Sequence, residues 1–263
     1  MHTPKIVFFD IDDTLYRKYT DTLRPSVFDA MKALKQRGIL TAIATGRAPV
    51  AIPAKIRTLI EDAGIDMLVT INGQYIEFRG ETLHANPLDT AVMAQICAFF
   101  DSKDVSYAFV GDQNIAVSAP TDWAEEALAK ILPQHPTDKD YFRHHPVYQM
   151  LVFFDESRDA EMAAAIHPAG LKTVRWHERS VDMLGQQDSK AGGIAKAIAK
   201  LGIEMKDVMA FGDGLNDVEM LKTVGFGVAM ENGEAATKVV AKFVCPSVDE
   251  DGVYRGLQQL GVI

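Results

Sequence analysis

Short apolar segments that favour β-strands alternate with helical segments at both ends of the chain. In the N-terminal part we predict strand, helix, strand, helix and strand over 6–9, 25–37, 39–44, a stretch that ends near residue 62, and 67–71. After residue 188 we predict helix, strand, helix, strand and helix over 189–201, 207–211, 216–223, 225–229 and 233–241. Strands joined by helices of this length indicate a parallel sheet with right-handed crossovers. Both ends of the chain are therefore expected to build one α/β core.

The order of elements changes in the middle of the chain. The predicted helices here are 88–101, 121–131 and 158–167, and the predicted strands flank Gly111-Asp112 or lie at 149–154, 172–176 and 180–184. This order favours an α+β unit with an antiparallel sheet. The fold class that we predict is α/β, with a Rossmann-like parallel-sheet core made by 1–82 and 185–263 and an α+β domain inserted at 83–184.

Composition limits the partners of such a fold. The chain has 263 residues, of which 48% are hydrophobic and 24% charged, as expected of a globular protein with a sizeable core. The 27 basic and 36 acidic residues give a formal net charge of −9, which argues against nucleic acid or a membrane as partner and favours a small substrate or a cation. Cys97 and Cys245 form no CxxC motif, so neither a disulfide framework nor a zinc site is expected. Without a membrane span or a signal peptide in the sequence, we expect a cytoplasmic protein.

Aspartates follow the predicted strands at both ends of the chain. Asp10, Asp12 and Asp13 stand within four positions, and such crowded carboxylates raise each other's pKa unless a cation or hydrogen-bond donors compensate. Asp213 and Asp217 follow a strand of the C-terminal part, and the carboxyl ends of parallel strands lie at one edge of a sheet. Oxygen-only ligation suits Mg²⁺. The sequence therefore predicts one Mg²⁺ near Asp10, Asp12, Asp213 and Asp217.

Other polar residues in the same pattern suit a phosphate group. Thr45 and Gly46 follow the second strand, where a hydroxyl and backbone amides can hold phosphate oxygens. Lys190 begins a helix and can neutralise one of those oxygens. With phosphate bound there, Asp10 is placed to accept a phosphoryl group as nucleophile. Asp12 can protonate the leaving oxygen and later deprotonate water.

These motifs together resemble the haloacid dehalogenase superfamily of phosphatases. The motifs are DxDxT at 10–14, TGR at 45–47, Lys190 in DSKAGG, and GDGLNDVEML at 212–221. Asn72-Gly73, the insert and GVAMENG at 227–233 resemble its Cof-type branch, which carries a large α+β cap of the C2 type. The resemblance covers essentially the whole chain.

The resemblance implies a role for each acidic residue. Asp10 would be the nucleophile and a metal ligand, and Asp12 would be the acid/base and bind the metal through its carbonyl oxygen. Asp213 would be the third protein ligand, and Asp217 would support the metal from nearby. Asp13 departs from the pattern, since the family commonly has glycine there, but it removes no catalytic group.

The resemblance also implies a set of phosphate-binding residues, and some of these positions have simpler explanations. The set is Thr45, Gly46, Lys190 and Asn216. Taken alone, Lys190 is more often a solvated helix residue than a ligand. Arg47 can simply pair with a core carboxylate, and Asn72-Gly73 can be a plain hairpin turn.

From these residues we predict a Mg²⁺-dependent phosphatase that hydrolyses small phosphomonoesters through an aspartyl-phosphate, with specificity residing in the cap. The alternatives are a phosphoryl-accepting signalling module, a phosphomutase and an idle phosphate-binding protein. A second acid at Asp12 and an insert of this size argue against the signalling module, because a phosphoryl group that must persist needs neither. Sugar phosphates, pyridoxal phosphate and flavin precursors are all compatible substrates.

Overall fold

The computed structural model describes residues 3–129 and 131–263, and the chain divides into two compact units. The core unit comprises residues 1–47, 52–85 and 189–263. The insert unit comprises residues 48–51 and 86–188. We predicted a cap domain at 83–184, and the role of this segment as a cap stays a prediction.

The N-terminal part of the core unit follows the predicted alternation. In chain order its elements are β1 (Ile6–Phe9), β2 (Tyr16–Arg17), β3 (Thr22–Leu23), α1 (Pro25–Gln36), β4 (Leu40–Ala44), α2 (Ala54–Ala63), β5 (Met67–Thr70), β6 (Tyr75–Phe78) and β7 (Glu81–Ala85). Helix α1 begins at Pro25, where the missing amide proton costs no helical hydrogen bond, and Gly38 with φ 71° follows its end. The short hairpin of β2 and β3 was not predicted.

The insert unit carries its own helices and strands. In chain order they are α3 (Thr90–Ser102), β8 (Tyr107–Val110), β9 (Ile115–Val117), α4 (Asp122–Leu128), β10 (Gln149–Val152), α5 (Asp159–Ile166), β11 (Leu171–His177) and β12 (Ser180–Gly185). The predicted helix 121–131 includes Lys130, which lies outside the described residues. The strands form one sheet in the order β11-β12-β10-β8-β9. Every neighbouring pair in it is antiparallel, as predicted.

The rest of the core unit adds helices and strands in alternation. They are α6 (Lys190–Lys200), β13 (Val208–Gly212), α7 (Val218–Thr223), β14 (Phe226–Met230), α8 (Ala235–Val240), β15 (Phe243–Cys245) and α9 (Gly252–Gln259). The predicted helix start at residue 216 is wrong, because residues 215–217 form a 3₁₀ turn before α7. Strand β15 and helix α9 were not predicted.

All strands of the core unit except β2 and β3 form one sheet of eight strands, in the order β15-β14-β13-β1-β4-β5-β6-β7. The first six strands of this order run parallel, and β6 and β7 add an antiparallel extension. The predicted α/β fold class is therefore confirmed.

Strand β1 lies at the centre of the core unit and is buried on both faces. Val7 and Phe9 pack with residues of α1, α2 and α9, whereas Ile6 and Phe8 pack with residues of α6 and α7. Because alternate residues of a strand point to opposite faces, helices cover both sides of the sheet. The polar residues that follow β1 lie beyond this buried strand, at the edge of the sheet.

The insert unit has a separate core that is rich in aromatic side chains. Phe109 contacts the rings of Tyr107, Tyr141 and Phe142, with centroids 5.4 to 6.3 Å apart. Cys97 is a buried free thiol in this core, and Cys245 is one in the core unit. Within the residues that the structure describes, no helix is long and apolar enough to cross a membrane.

Candidate active site

The central strands of the core sheet end in register. Phe9 of β1 pairs with Ile43 of β4 on one side and with Phe211 of β13 on the other. Since the carboxyl ends of parallel strands lie at the same edge, the residues that follow these strands are neighbours. Asp10 and Asp213 therefore leave the sheet beside each other, although the sequence separates them widely.

Lys190 lies buried between two of the predicted aspartates. Its Nζ donates hydrogen bonds of 2.6 Å to Asp10 Oδ1 and 2.7 Å to Asp217 Oδ1, and its side chain is 1% exposed. Burial by itself would lower the pKa of Lys190, but the charges of Asp10 and Asp217 raise it above its ordinary value. The alternative that Lys190 is a solvated helix residue is wrong.

Local packing explains how a lysine at a helix start becomes buried. Ser189 caps α6 by accepting a hydrogen bond from the Gly192 amide, which makes Lys190 the first helical residue. Gly193 lies against Gly73, since a Cβ atom at Gly193 would stand 2.4 Å from the Gly73 Cα. Only glycine allows this approach, which holds the first turn of α6 against the residues that follow β5.

Asp217 organises the loop after β13. Its Oδ2 accepts hydrogen bonds of 3.0 Å from the backbone amides of both Asp213 and Gly214, while its Oδ1 faces Lys190. Asp213 in turn accepts a 2.7 Å hydrogen bond from the Thr14 hydroxyl. Asp217 therefore fixes the backbone of the loop at Asp213, and Thr14 holds the carboxylate of Asp213.

Asp10, Asp213 and Asp217 each offer a carboxylate oxygen, and these three oxygens lie within 4.8 Å of one another. Burial raises the pKa of Asp10 well above its ordinary value; Lys190 opposes this shift, and the other two carboxylates add to it. Burial, followed by the charge of Asp217, raises the pKa of Asp213 to about 7. Oxygen donors that are crowded to this degree fit a hard divalent cation such as Mg²⁺, which would relieve their repulsion.

The side chain of Asp12 pairs with Arg47. Arg47 Nε donates to Asp12 Oδ2 at 2.7 Å, and its Nη2 donates to Asp12 Oδ1 at 2.8 Å. The simpler explanation of Arg47 as the partner of a carboxylate is thus correct, and that carboxylate is the predicted acid/base. Sequence reasoning did not identify Asp12 as that carboxylate.

Thr45 and Gly46 lie in a tightly bonded loop after β4. The Thr45 hydroxyl accepts a 3.1 Å hydrogen bond from the Arg47 amide, which leaves its own proton for an acceptor such as a phosphate oxygen. The Thr45 carbonyl accepts from the Asn72 amide, and the Asn72 side chain lies against Gly46. Asn72-Gly73 is also a hairpin turn, because β5 continues into antiparallel β6.

Asn216 and Asp13 lie outside the buried cluster of Lys190 and its carboxylates. Asn216 is exposed, and its side-chain oxygen lies near Gly214. Asp13 has a left-handed φ of 57°, a conformation that explains why glycine is common there in the family that the motifs resemble. Its carboxylate accepts a 3.0 Å hydrogen bond from Arg17 and lies 3.5 Å from Lys18, so its charge is partnered.

Sequence reasoning assigned no role to two residues that hold the site together. Thr14 fixes the carboxylate of Asp213, and its place in the DxDxT motif was the available signal. Asn232 donates a 2.8 Å hydrogen bond to the Asp13 carbonyl and accepts one from the Val248 amide. Asn232 lies in the GVAMENG stretch, which carries part of the resemblance.

The sequence matches the haloacid dehalogenase-like hydrolase family over residues 7–257. A Streptococcus pyogenes protein named "Putative bifunctional phosphatase/peptidyl-prolyl cis-trans isomerase" is 34% identical over 260 residues, which cover 98% of this chain and 54% of that protein. The chain thus spans about half the length of that relative. A Bacillus subtilis protein named "Putative phosphatase YkrA" is 33% identical, with 98% of each chain covered.

Among solved structures, the fold is similar to that of "the HAD Subclass IIB Sugar Phosphatase BT4131". The TM-score is 0.87 and the sequence identity 31%, with 98% of this chain and 100% of that chain covered. At this coverage the similarity includes both the core unit and the insert unit.

Proposed function

The chain belongs to the haloacid dehalogenase-like hydrolase family, and from this premise we propose that it is a Mg²⁺-dependent phosphatase that hydrolyses small phosphomonoesters through a phosphoryl group carried on Asp10. The resemblance inferred from the motifs is confirmed, and the chain is a phosphoric monoester hydrolase. The observation that carries the finer proposal is the buried arrangement in which Lys190 bridges Asp10 and Asp217 beside Asp213.

For the metal, we propose that the Asp10 and Asp213 carboxylates and the Asp12 carbonyl bind Mg²⁺, with Asp217 in support. The ion would supply positive charge to the phosphate oxygens when it is bound. Asp217 suits a supporting role, since its two oxygens already accept hydrogen bonds from Lys190 and from backbone amides.

For the chemistry, we propose that an Asp10 carboxylate oxygen attacks phosphorus, and the bond from phosphorus to the leaving oxygen breaks. Asp12 gives its proton to that oxygen, which leaves as an alcohol. Asp12 then takes a proton from water as the water oxygen attacks phosphorus, which releases inorganic phosphate and restores Asp10. Thr45, Gly46 and Lys190 would hold the phosphate oxygens throughout.

The exposed position of Asn216 is compatible with a phosphate contact made only when substrate is present. We propose that the insert unit is a cap that contacts the leaving group and so selects the substrate. A sugar phosphate or a similar small metabolite in the cytoplasm is the substrate class that we favour, because BT4131, which is similar over both units, is described as a sugar phosphatase.

A phosphomutase is the second candidate, because it would use the same nucleophile and acid. The two functions differ in the fate of the phosphoryl group, which a mutase returns to a sugar and a phosphatase gives to water.

The test is hydrolysis of a panel of phosphomonoesters by the purified protein, with and without Mg²⁺. The panel should contain sugar phosphates, pyridoxal phosphate and flavin precursors. We expect release of inorganic phosphate that stops when Mg²⁺ is chelated. Transfer between sugar positions without release of phosphate would favour the mutase, and release that ignores chelation would contradict the proposed metal.

A further inference from the structure

Outside the Lys190 cluster, Arg47 and Asp12 form a two-pronged pair. Two hydrogen bonds of 2.7 and 2.8 Å join the groups, and the side chains are 13% and 23% exposed. We propose that Arg47 is a positioning residue, which holds the Asp12 carboxyl group in the plane and direction needed for proton transfer to the leaving oxygen. The inference rests on the proposed function, because it takes Asp12 to be the acid/base.

Asp12 needs such a partner because its backbone is fixed but its side chain is not. Ile11 before it is buried, and Asp13 after it has a left-handed φ of 57° and donates its amide proton to the Tyr16 carbonyl at 2.7 Å. The carboxyl group could still rotate at this edge of the sheet. A planar guanidinium that donates two parallel hydrogen bonds removes that freedom, which a lysine cannot do equally well.

The backbone of Arg47 is itself held from two sides. Its amide donates to the Thr45 hydroxyl at 3.1 Å, and its carbonyl accepts a 3.0 Å hydrogen bond from the Ile71 amide. Arg47 is therefore tied to the predicted phosphate-binding loop at one end and to the end of β5 at the other.

The segment after β5 that holds the Arg47 carbonyl is strained. Ile71 has φ 49°, and Asn72 and Gly73 follow with φ 50° and 90°. A β-branched residue such as Ile71 rarely adopts a left-handed conformation, and strain of this kind persists where the surrounding structure requires it. The hydrogen bond from Ile71 to Arg47 gives that strain a function, because it fixes the base of the positioning side chain.

Charge supports the same reading. An arginine side chain stays charged at ordinary pH and only donates hydrogen bonds, so both contacts with Asp12 persist.

The test compares two aryl esters that differ in how much they need an acid. The p-nitrophenolate ion leaves readily without a proton, whereas phenolate is a poorer leaving group and depends more on general acid catalysis. For Arg47→Gln we expect kcat/KM to fall by about 100-fold with phenyl phosphate and by less than about tenfold with p-nitrophenyl phosphate. In Arg47→Lys the loss with phenyl phosphate should be smaller than in Arg47→Gln, since part of the pairing survives.

A matched control exists in the same unit. Arg24 makes a similar two-pronged pair with Asp251, at 2.6 and 3.1 Å, and Asp251 is not a predicted site residue. Arg24→Gln should leave the ratio of the two kcat/KM values unchanged within about twofold. Added guanidinium should restore phenyl phosphate turnover to Arg47→Ala more than p-nitrophenyl phosphate turnover, which a merely destabilised protein would not show.

The outcomes separate this inference from the proposed function. Equal losses with both esters in folded Arg47→Gln, or in Arg47→Lys if the first variant does not fold, would overturn the positioning role. Wild-type protein that hydrolyses neither these esters nor any phosphomonoester of the panel with Mg²⁺ would instead overturn the proposed function. A change in the ratio confined to the Arg47 variants supports both.

Discussion

The two sheets of this protein place the ends of their strands differently. In the core sheet β13, β1 and β4 run parallel, so the residues that follow them gather at one edge and include Asp10 and Asp213. In the insert sheet every neighbouring pair is antiparallel, so successive strands end at opposite edges. A parallel sheet concentrates functional groups in a way that an antiparallel sheet does not.

The two units also differ in how they treat charge. In the core unit Lys190 is 1% exposed between two carboxylates. In the insert unit the side chains of the Lys139–Asp101 pair are 58% and 40% exposed. Burying ions costs several kcal/mol in desolvation, whereas exposed pairs contribute only about 0–1 kcal/mol. We therefore expect the buried charges to serve the proposed chemistry and the exposed pair of the insert unit to be dispensable for it.

The largest effect should come from removing the nucleophile. Asp10→Asn should lower kcat by roughly three or more orders of magnitude. Because the pKa of Asp10 is raised in the folded protein, the neutral side chain should also raise the melting temperature at neutral pH. Steady-state hydrolysis and thermal unfolding measure the two effects. Asp101→Asn in the insert unit is the control and should keep its activity within about twofold; full activity in Asp10→Asn would end the comparison.

The second effect concerns the buried cation. Lys190→Ala should lower kcat/KM by about 100- to 1000-fold, or roughly 3–4 kcal/mol, if the ammonium stabilises charge on the phosphoryl group. Lys139→Ala removes an exposed lysine of the insert unit and should change kcat/KM by less than about twofold. If Lys190→Ala stays within about threefold of wild type, its burial serves structure alone.

A smaller effect should appear in the pH dependence of stability. Without metal, the pKa of Asp213 is about 7 in the folded protein and 3.8 when exposed, so the folded state binds more protons between these values. The free energy of unfolding should then fall as pH rises towards about 8, and Mg²⁺ should restore it. The melting temperature in Mg²⁺ should exceed that in chelator, and this difference should widen with pH. Each kcal/mol of stability corresponds to about 2–4 °C. In Asp213→Asn the difference in melting temperature should be smaller. A difference that narrows as pH rises in the wild-type protein would contradict the raised pKa of Asp213.

The smallest effect should come from an exposed pair of the insert unit. Lys103 Nζ lies 2.7 Å from Glu161 Oε1, and the side chains are 40% and 39% exposed. Lys103→Met should change the free energy of unfolding by at most about 1 kcal/mol and leave kcat unchanged. Denaturant unfolding measures this change. A loss of stability of several kcal/mol, as expected for breaking a buried ion pair, would remove the distinction between the two units.

The catalytic candidates could be found from the sequence because strand geometry turns distant positions into neighbours. Asp10 and Asp213 each follow a short buried strand, and parallel register is enough to bring them together. The burial of Lys190 could not be found in this way. It depends on the close approach of Gly193 to Gly73, which is a long-range packing event that no local pattern indicates.

Helix α9 and the turn before α7 were not predicted for the same kind of reason. Helix α9 contains Gly252 and Gly256, which lower its helix propensity, yet a Cβ at Gly256 would stand 2.7 Å from the Cys245 Cβ. Tertiary packing thus selects glycine against local preference. The 3₁₀ turn before α7 arises because the Asp217 side chain folds back and accepts hydrogen bonds from the amides of Asp213 and Gly214. The prediction of a helix start at residue 216 did not take these hydrogen bonds into account.

The most direct test of the account is to locate the phosphoryl group during turnover. The enzyme would be mixed with a ³²P-labelled phosphomonoester and Mg²⁺, quenched in acid within the first turnover, and digested. We predict hydroxylamine-labile label on the peptide that contains Asp10, and none in Asp10→Asn. Label on a peptide from residues 86–188 would contradict the central claim that the core unit carries the chemistry.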